Sequence, residues 1–174
     1  MIERRHEGGG RRSRALFSDC GAYRYLLERD WAPGPRLLWV LLNPSTADEA
    51  RNDPTIERCE RRARALGYGG LAVANLFAFR VTRPADLKRA ADPVGAQTDR
   101  ILRRAARSAG AVLCGWGTHG ALLGRGAAVE ALLRREGLAL LALGLTRQGH
   151  PRHPLYVAYD VAPMPWAGAE NTDN

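Results

Sequence analysis

Lysine is almost absent from this chain of 174 residues, since Lys88 is the only one among 26 basic residues. Cysteine is also scarce. The three cysteines share no Cys-x-x-Cys spacing, which argues against a disulfide framework and a zinc knuckle. No apolar run approaches the roughly 20 residues of a transmembrane helix, and no signal-peptide core follows Met1. We therefore expect one cytoplasmic domain with no membrane partner.

Acidic residues are too few to balance the arginines. With 26 Lys and Arg against 18 Asp and Glu, the formal net charge is +8. Arginine binds phosphate bidentately and stacks on bases, and so basic a domain is typical of nucleic-acid binders. The alternative is that the arginines only solvate helix surfaces in a chain of biased composition. We expect a monomer whose partner is nucleic acid (DNA or RNA) or a nucleotide.

Glycine and proline divide the chain into three parts. Residues 1–14 contain Gly8-Gly9-Gly10 and five arginines, and they predict a flexible basic arm. Residues 15–162 form a single α/β domain, which starts with a predicted β-hairpin around Asp19-Cys20-Gly21. Residues 163–174 are predicted to be an irregular tail.

Four apolar runs alternate with helical patterns within this domain. Continuous apolar runs of this length are typical of strands that are buried on both faces. Because strands and helices alternate, the sequence predicts a three-layer α/β/α sandwich with a mainly parallel, four-stranded central sheet. The predicted strands are Leu37–Leu42, Leu71–Asn75, Ala111–Gly115 and Leu138–Leu143.

Polar and aromatic side chains follow each predicted strand. The carboxyl ends of parallel strands meet at one edge of a sheet, where ligands bind. We therefore expect these residues to converge on one site. In chain order, the candidates are Asn43, Ser45, Thr46, Asn75, Phe77, Trp116, Arg147, His150, Arg152 and His153.

Each candidate also has an ordinary structural interpretation. Asn43 either orients a water or a sugar hydroxyl, or belongs only to an Asn-Pro turn, in which Ser45 or Thr46 caps a helix. Asn75 either reads the edge of a nucleobase or bonds neighbouring backbone. Phe77 either stacks on a ligand or lies in the core.

The last loop carries two His-Pro pairs and two arginines. His150-Pro151 and His153-Pro154 both place an imidazole in a rigid segment where it can face an anion. Arg147 and Arg152 are the candidate phosphate ligands. Because no third ligand accompanies the histidines, we expect neither a metal nor another cofactor.

Several segments together resemble the bacterial proteins of domain of unknown function family 1643. They are LLWVLLNPSTADEARNDPTIERC, GYGGLAVANLFAFR, DPVGAQTD, CGWGTHG and LTRQGHPRHPLY. The resemblance extends over residues 15–161, and the family name implies no activity.

The order of these motifs is more distantly similar to the uracil-DNA glycosylase superfamily. That resemblance implies that Asn43 handles the attacking water, Asn75 reads the base, and His153 or His150 stabilises the departing base. Trp116-Gly117 matches the Leu-Trp-Gly motif of that superfamily. Leu41 replaces its glycine, and Ser45 replaces its pocket-closing tyrosine.

The implied function is a nucleic-acid-directed N-glycosidase-like protein that binds a flipped or modified base and excises it. An amide does not titrate, so Asn43 cannot act as a general base. Two alternatives therefore stay open. One is a catalytically inactive module that binds a nucleotide or a modified base, and the other is a hydrolase of free nucleosides or nucleotides.

Overall fold

The computed structural model describes residues 1–168, which form an eight-stranded mixed sheet with four α-helices. The strands follow one another across the sheet in the order β1-β2-β3-β5-β4-β6-β7-β8. The strands are β1 (Ile2–Gly8), β2 (Arg11–Phe17), β3 (Arg24–Asp30), β4 (Arg36–Leu41), β5 (Gly70–Asn75), β6 (Ala111–Cys114), β7 (Leu140–Ala142) and β8 (Met164–Pro165). The helices are α1 (Pro54–Ala65), α2 (Pro84–Arg89), α3 (Thr98–Ser108) and α4 (Arg125–Arg135).

The predicted fold class is wrong, because the sheet is neither four-stranded nor mainly parallel. Only β5, β4, β6 and β7 run parallel to one another. The antiparallel strands β3, β2 and β1 extend the sheet beyond β5, and β8 adds an antiparallel strand next to β7. The apolar runs revealed the buried parallel strands but not the polar strands that pair outside them.

The N-terminal segment that the sequence predicts as a flexible arm is a β-strand. β1 pairs with β2 along its whole length, from Ile2 opposite Phe17 to Gly8 opposite Arg11. Gly9 and Gly10 have φ values of 61° and 73°, the conformation that a tight two-residue hairpin turn requires. The glycine run is therefore a turn, and the polar composition of β1 reflects its exposure on both faces.

Helices cover both faces of the sheet. α1 packs on one face through Ile56, Cys59 and Ala63, which join the core around Trp39 and Phe17. α3 and α4 pack on the other face, where their buried residues surround the alternate side chains of β4 and β5. Since side chains alternate along a strand, each buried strand contributes to both cores.

Two boundaries differ from the predicted pattern. One of the helical patterns that alternate with the strands covers residues 118–136, and the structure divides it into a 3-10 segment (Thr118–Gly124) and α4, because Leu123 and Gly124 adopt left-handed backbone angles. β8 lies in the predicted irregular tail, of which residues 169–174 lie outside the described part of the chain. No helix within residues 1–168 is long and apolar enough to cross a membrane.

Candidate functional site

A pocket of about 580 Å³ lies at the carboxyl ends of the parallel strands. It is formed by the loops that follow β4, β5, β6 and β7, together with the first residues of α1. The structure brings together six of the ten residues that the sequence singles out. They are Asn43, Ser45, Thr46, Trp116, Arg152 and His153.

Asn43 joins two of the loops that form the pocket. Its amide nitrogen donates to the carbonyl oxygens of Pro44, at 3.0 Å, and Val81, at 2.8 Å. The Val81 amide in turn donates to the Pro44 carbonyl, and the Ser45 hydroxyl donates to Thr82. Asn43 thus has the structural role that the sequence left open, and both amide protons are used for it.

Asp53 is the one carboxylate among the described residues that line the pocket. Its two oxygens accept from the backbone amides of Ile56, at 2.9 Å, and Ala47, at 3.3 Å. The first of these bonds caps α1, whose next residues, Pro54 and Thr55, also face the pocket. Asp53 is thus the capping group of α1, and each of its oxygens accepts one backbone bond.

His153 presents a neutral imidazole to the pocket. Its Nδ1 accepts a hydrogen bond from the Leu155 amide at 3.2 Å, so the ring proton of the neutral form resides on Nε2. Burial lowers the pKa of His153 to about 4, against the opposing effect of the nearby Asp53 carboxylate. His153 is therefore an uncharged hydrogen-bond donor at neutral pH.

Two arginines of α1 hold the segment that carries His153. Arg58 donates to the carbonyl oxygens of Pro154 and Val157. Arg62 is buried and donates to the backbone carbonyl oxygens of residues 157, 158, 159 and 161. Through these bonds, α1 holds the segment that begins at His153 and so fixes the position of its imidazole.

Trp116 forms a rigid wall of the pocket, with only 2% of its surface exposed. Its ring packs edge-to-face on Trp166, with 5.5 Å between the centroids. A Cβ atom at Gly120 would lie 2.7 Å from the indole nitrogen, and one at Gly126 would lie 3.0 Å from it. These two glycines leave the space that the indole occupies.

Four of the predicted site residues do not line the pocket. Asn75 is 3% exposed at the end of β5, and neither atom of its amide has a hydrogen-bond partner. Phe77 is fully buried in the core on the α3 side of the sheet. Arg147 and His150 belong to a tight turn that the bond from the Thr146 amide to the His150 carbonyl closes, and Arg147 is exposed there.

Sequence reasoning missed several residues of the site, above all Tyr156. Its side chain is 76% exposed beside the pocket, and its ring centroid lies 5.9 Å from that of His153. The sequence feature that could have identified Tyr156 is its distance of three residues from His153, since Pro154 starts a 3-10 turn that ends at Tyr156. The other omitted polar residues are Asp53, Thr55, Thr82, Thr118, His119 and Thr146.

Comparison with known protein families decides the classification. Residues 24–155 match the family described as "Protein of unknown function (DUF1643)". The chain belongs to this family. No curated protein and no solved structure matches the chain. The family resemblance is thus confirmed, whereas the more distant resemblance to the uracil-DNA glycosylase superfamily is not supported.

The segment shared with the DUF1643 family begins at β3 and contains every pocket residue except Tyr156. It also contains α1, whose arginines hold the His153 segment. Within residues 1–168 no cluster of three His, Cys, Asp or Glu side chains has the arrangement of a metal site. The functional groups that line the pocket are amides, hydroxyls, imidazoles and aromatic rings, together with the Asp53 carboxylate and the Arg152 guanidinium.

Proposed function

We propose that this pocket binds one nucleotide of a nucleic-acid strand, with the base inside and the phosphate at the entrance. The observation that carries the proposal is the neutral His153, whose Nε2–H is available as a donor within a cavity that has aromatic side chains beside it. A neutral donor matches the carbonyl oxygens and ring nitrogens of a base and does not require a charged ligand.

The size and lining of the pocket support a base. Ligand pockets commonly range from about 300 to 1,000 Å³ and combine apolar walls with a few placed polar groups. Here Trp116, Leu42 and Leu155 are such walls, and the exposed ring of Tyr156 offers a face on which a base can stack.

The polar side of the entrance suits a phosphate. Arg152 is exposed there, and its guanidinium is also tied to the Tyr156 carbonyl at 3.2 Å. The N-terminus of α1 also faces the pocket through Thr55, but the Asp53 carboxylate already caps it. A phosphate linked to a base that stacks on Tyr156 thus has the Arg152 cation within the same site.

Excision of the bound base is a second candidate function, which the geometry of Asn43 and His153 favours. The bonds of Asn43 use its amide nitrogen, so its oxygen is left to orient a water. When the bond between the sugar and the base breaks, the His153 Nε2–H would stabilise the negative charge on the departing base. The water would attack the sugar carbon, and its proton would pass to the Asp53 carboxylate or to solvent, because the Asn43 amide cannot accept it. Binding requires no such step and is the better supported function.

Titration of nucleoside monophosphates and short oligonucleotides tests the binding proposal. We expect Tyr156→Ala to weaken binding about tenfold, in line with about 1 to 3 kcal/mol for one base–aromatic stack. Tyr156→Phe is the matched control, because it keeps the ring on which a base can stack and removes only the hydroxyl. Equal effects of the two changes, or the absence of nucleotide binding, would exclude the proposal.

His153→Asn tests the donor directly. An asparagine oxygen still accepts from the Leu155 amide as a helix cap, while the Nε2–H donor is lost. We expect the variant to fold and to bind nucleotides more weakly. Oligonucleotides that carry a panel of modified bases are then scored for abasic sites. Abasic sites that appear with the wild type but not with His153→Asn would establish excision, and their absence limits the protein to binding.

A further inference from the structure

A second concave surface lies between α3 and strands β2 and β3, and it is strongly basic. This basic groove has a volume of about 920 Å³ and shares no lining residue with the pocket at the strand ends. Six arginines and two carboxylates line it. The arginines are Arg14, Arg36, Arg100, Arg103, Arg104 and Arg107.

α3 contributes four of these arginines on one helical face. Positions 100, 103, 104 and 107 repeat at intervals of three and four residues, so their side chains neighbour one another. The row spans about 10 Å at the helical rise of 1.5 Å per residue. All four side chains are exposed.

Local partners neutralise only part of this charge. Arg14 and Arg36 share the Glu28 carboxylate, at 2.6 and 3.1 Å, and each also pairs with a second carboxylate, Glu3 at 3.3 Å and Asp30 at 2.6 Å, respectively. Arg107 pairs with Glu136 at 2.5 Å, from outside the groove. Among residues 1–168, Arg103 and Arg104 form no ion pair and no side-chain hydrogen bond with the protein. Asp99, the other carboxylate of the groove, is paired with Arg125.

The fold gains nothing from so many like charges. Two cations four residues apart on a helix destabilise it by a few tenths of a kcal/mol, and α3 has two such pairs, 100/104 and 103/107. The packing of α3 depends instead on its opposite face, where Leu102, Ala105 and Ala106 are buried. The packing of α3 therefore does not account for this row of guanidinium groups.

We propose that the basic groove binds the sugar-phosphate backbone of a nucleic-acid strand. A strand carries one charge per about 3.4 Å of helix axis, so roughly three phosphates fit along the row on α3. Arginine is suited to phosphate because its planar fork donates bidentately. Beneath the guanidinium groups, the partly buried Leu16 offers apolar contact to a sugar or a base, and the buried Leu26 and Ile101 support it.

This proposal goes beyond the pocket and stands apart from it. If the pocket binds only free nucleotides, the groove still binds a strand. If the groove binds nothing, the pocket can still bind a nucleotide. The two proposals therefore fail in different assays: nucleoside monophosphates report on the pocket, and the change in oligonucleotide affinity when groove arginines are replaced reports on the groove.

The test compares two variants that remove the same charge. The groove variant is Arg103→Gln with Arg104→Gln, and the control is Lys88→Gln with Arg135→Gln. All four side chains are exposed on helices, and neither control residue lines the groove or the pocket. Glutamine keeps a good helix propensity at each position. Binding to fluorescent single-stranded DNA, single-stranded RNA and duplex DNA is measured by anisotropy at several salt concentrations.

We expect the groove variant to bind the oligonucleotides at least about tenfold more weakly at low salt. The slope of log affinity against log salt should decrease by about 1.4 to 1.8, the release expected for two lost phosphate contacts. The control should change affinity less than about twofold, and comparison of the three oligonucleotides identifies the strand type. Equal losses in both variants would show that only net charge matters and would overturn the proposal. Binding of poly-glutamate at least as tight as that of the oligonucleotides would overturn it in favour of an acidic protein partner.

Discussion

His153 combines a local hydrogen bond with burial, and both keep it neutral. Nδ1 accepts from the Leu155 amide, and this bond is lost when the imidazole is doubly protonated. The surrounding pocket wall and the segment that α1 holds supply the burial. The sequence of this loop contains two His-Pro pairs, and only the tertiary structure shows that His153 is the histidine that lines the pocket.

The depressed pKa of His153 predicts a loss of stability in acid. The imidazole titrates near 4 in the folded protein and near 6.5 in the unfolded chain. Above pH 6.5 both states are neutral, so the full stability is present. As the pH falls from 6.5 to 4, protons bind preferentially to the unfolded chain, and the free energy of unfolding decreases by up to roughly 3 kcal/mol.

Urea unfolding at a series of pH values checks this prediction. The His153→Asn variant does not titrate in this range, so the difference between its stability and that of the wild type should change between pH 6.5 and pH 4. If the free energies of unfolding of the two proteins change in parallel with pH, the low pKa of His153 is contradicted. The imidazole resonances of the folded protein give the pKa independently.

Asn75 and Phe77 show why a residue at a strand end is hard to assign from the sequence. Side chains alternate along β5, so Asn75 lies on the same face as Val73, in the direction of α1. The loop after β4 and the start of α1 decide how far the pocket extends on that side. Whether a polar side chain faces ligand or protein thus depends on residues that are distant in the chain.

Helix α1 acts as a clamp on the C-terminal part of the chain. Its arginines were expected from their composition to contact phosphate or solvent, but Arg62 is buried and donates to a series of backbone carbonyls. Arg58 also stacks on the Tyr159 ring, with 4.4 Å between the guanidinium carbon and the ring centroid. Arg58 and Arg62 are therefore structural, in contrast to the unpaired Arg103 and Arg104 of α3 among residues 1–168.

We predict that Arg62→Ala releases the segment from Val157 to Val161. Removing the guanidinium leaves several carbonyl groups without a donor, and we expect the free energy of unfolding to fall by about 2 to 4 kcal/mol. Amide hydrogen exchange over residues 157–161 should become faster, and nucleotide binding should weaken because His153 and Tyr156 lie directly before this segment.

Arg61→Ala is the matched control on the next position of the helix. Arg61 is exposed and contacts the segment only through the Tyr159 ring, at 5.3 Å. Its removal should change the free energy of unfolding by less than about 1 kcal/mol. Equal exchange rates in the two variants over residues 157–161 would show that Arg62 is not the clamp.

The antiparallel half of the sheet contributes unequally to the molecule. β1 forms an edge and has no buried side chain, whereas β2 buries Ala15 and Phe17 in the core on the α1 side. Neither strand lines the pocket at the opposite part of the sheet. The hairpin can therefore be shortened without altering the site.

We predict that deletion of residues 1–9 preserves both the fold and the pocket. Nucleotide affinity should stay within about twofold of the wild type, since no pocket residue is removed. Deletion of residues 1–18 should instead lower the free energy of unfolding by more than about 3 kcal/mol, because Phe17 leaves a cavity beside β4. Urea unfolding and nucleotide titration of both truncated chains provide the measurements. A 1–9 deletion that fails to fold would show that β1 is part of the core structure.

Local pattern was sufficient to locate the strands that become β4, β5 and β6 and the polar residues that follow them. A continuous apolar run can be satisfied only by burial, and a strand end at the carboxyl edge of a parallel sheet is exposed to ligand in any such fold. Six of the ten candidate residues, among them Asn43 and His153, consequently line the same pocket.

Only the tertiary structure decided the extent of the sheet and the contents of the pocket. β1 carries no apolar face, so nothing in its composition distinguishes a paired edge strand from a disordered arm, and the partner β2 supplies the difference. Asn43 and Val81 meet because two loops cross, and Tyr156 reaches the pocket because Arg58 and Arg62 hold its segment. These contacts join residues far apart in the chain, whereas periodicity reports only on neighbours within a few residues.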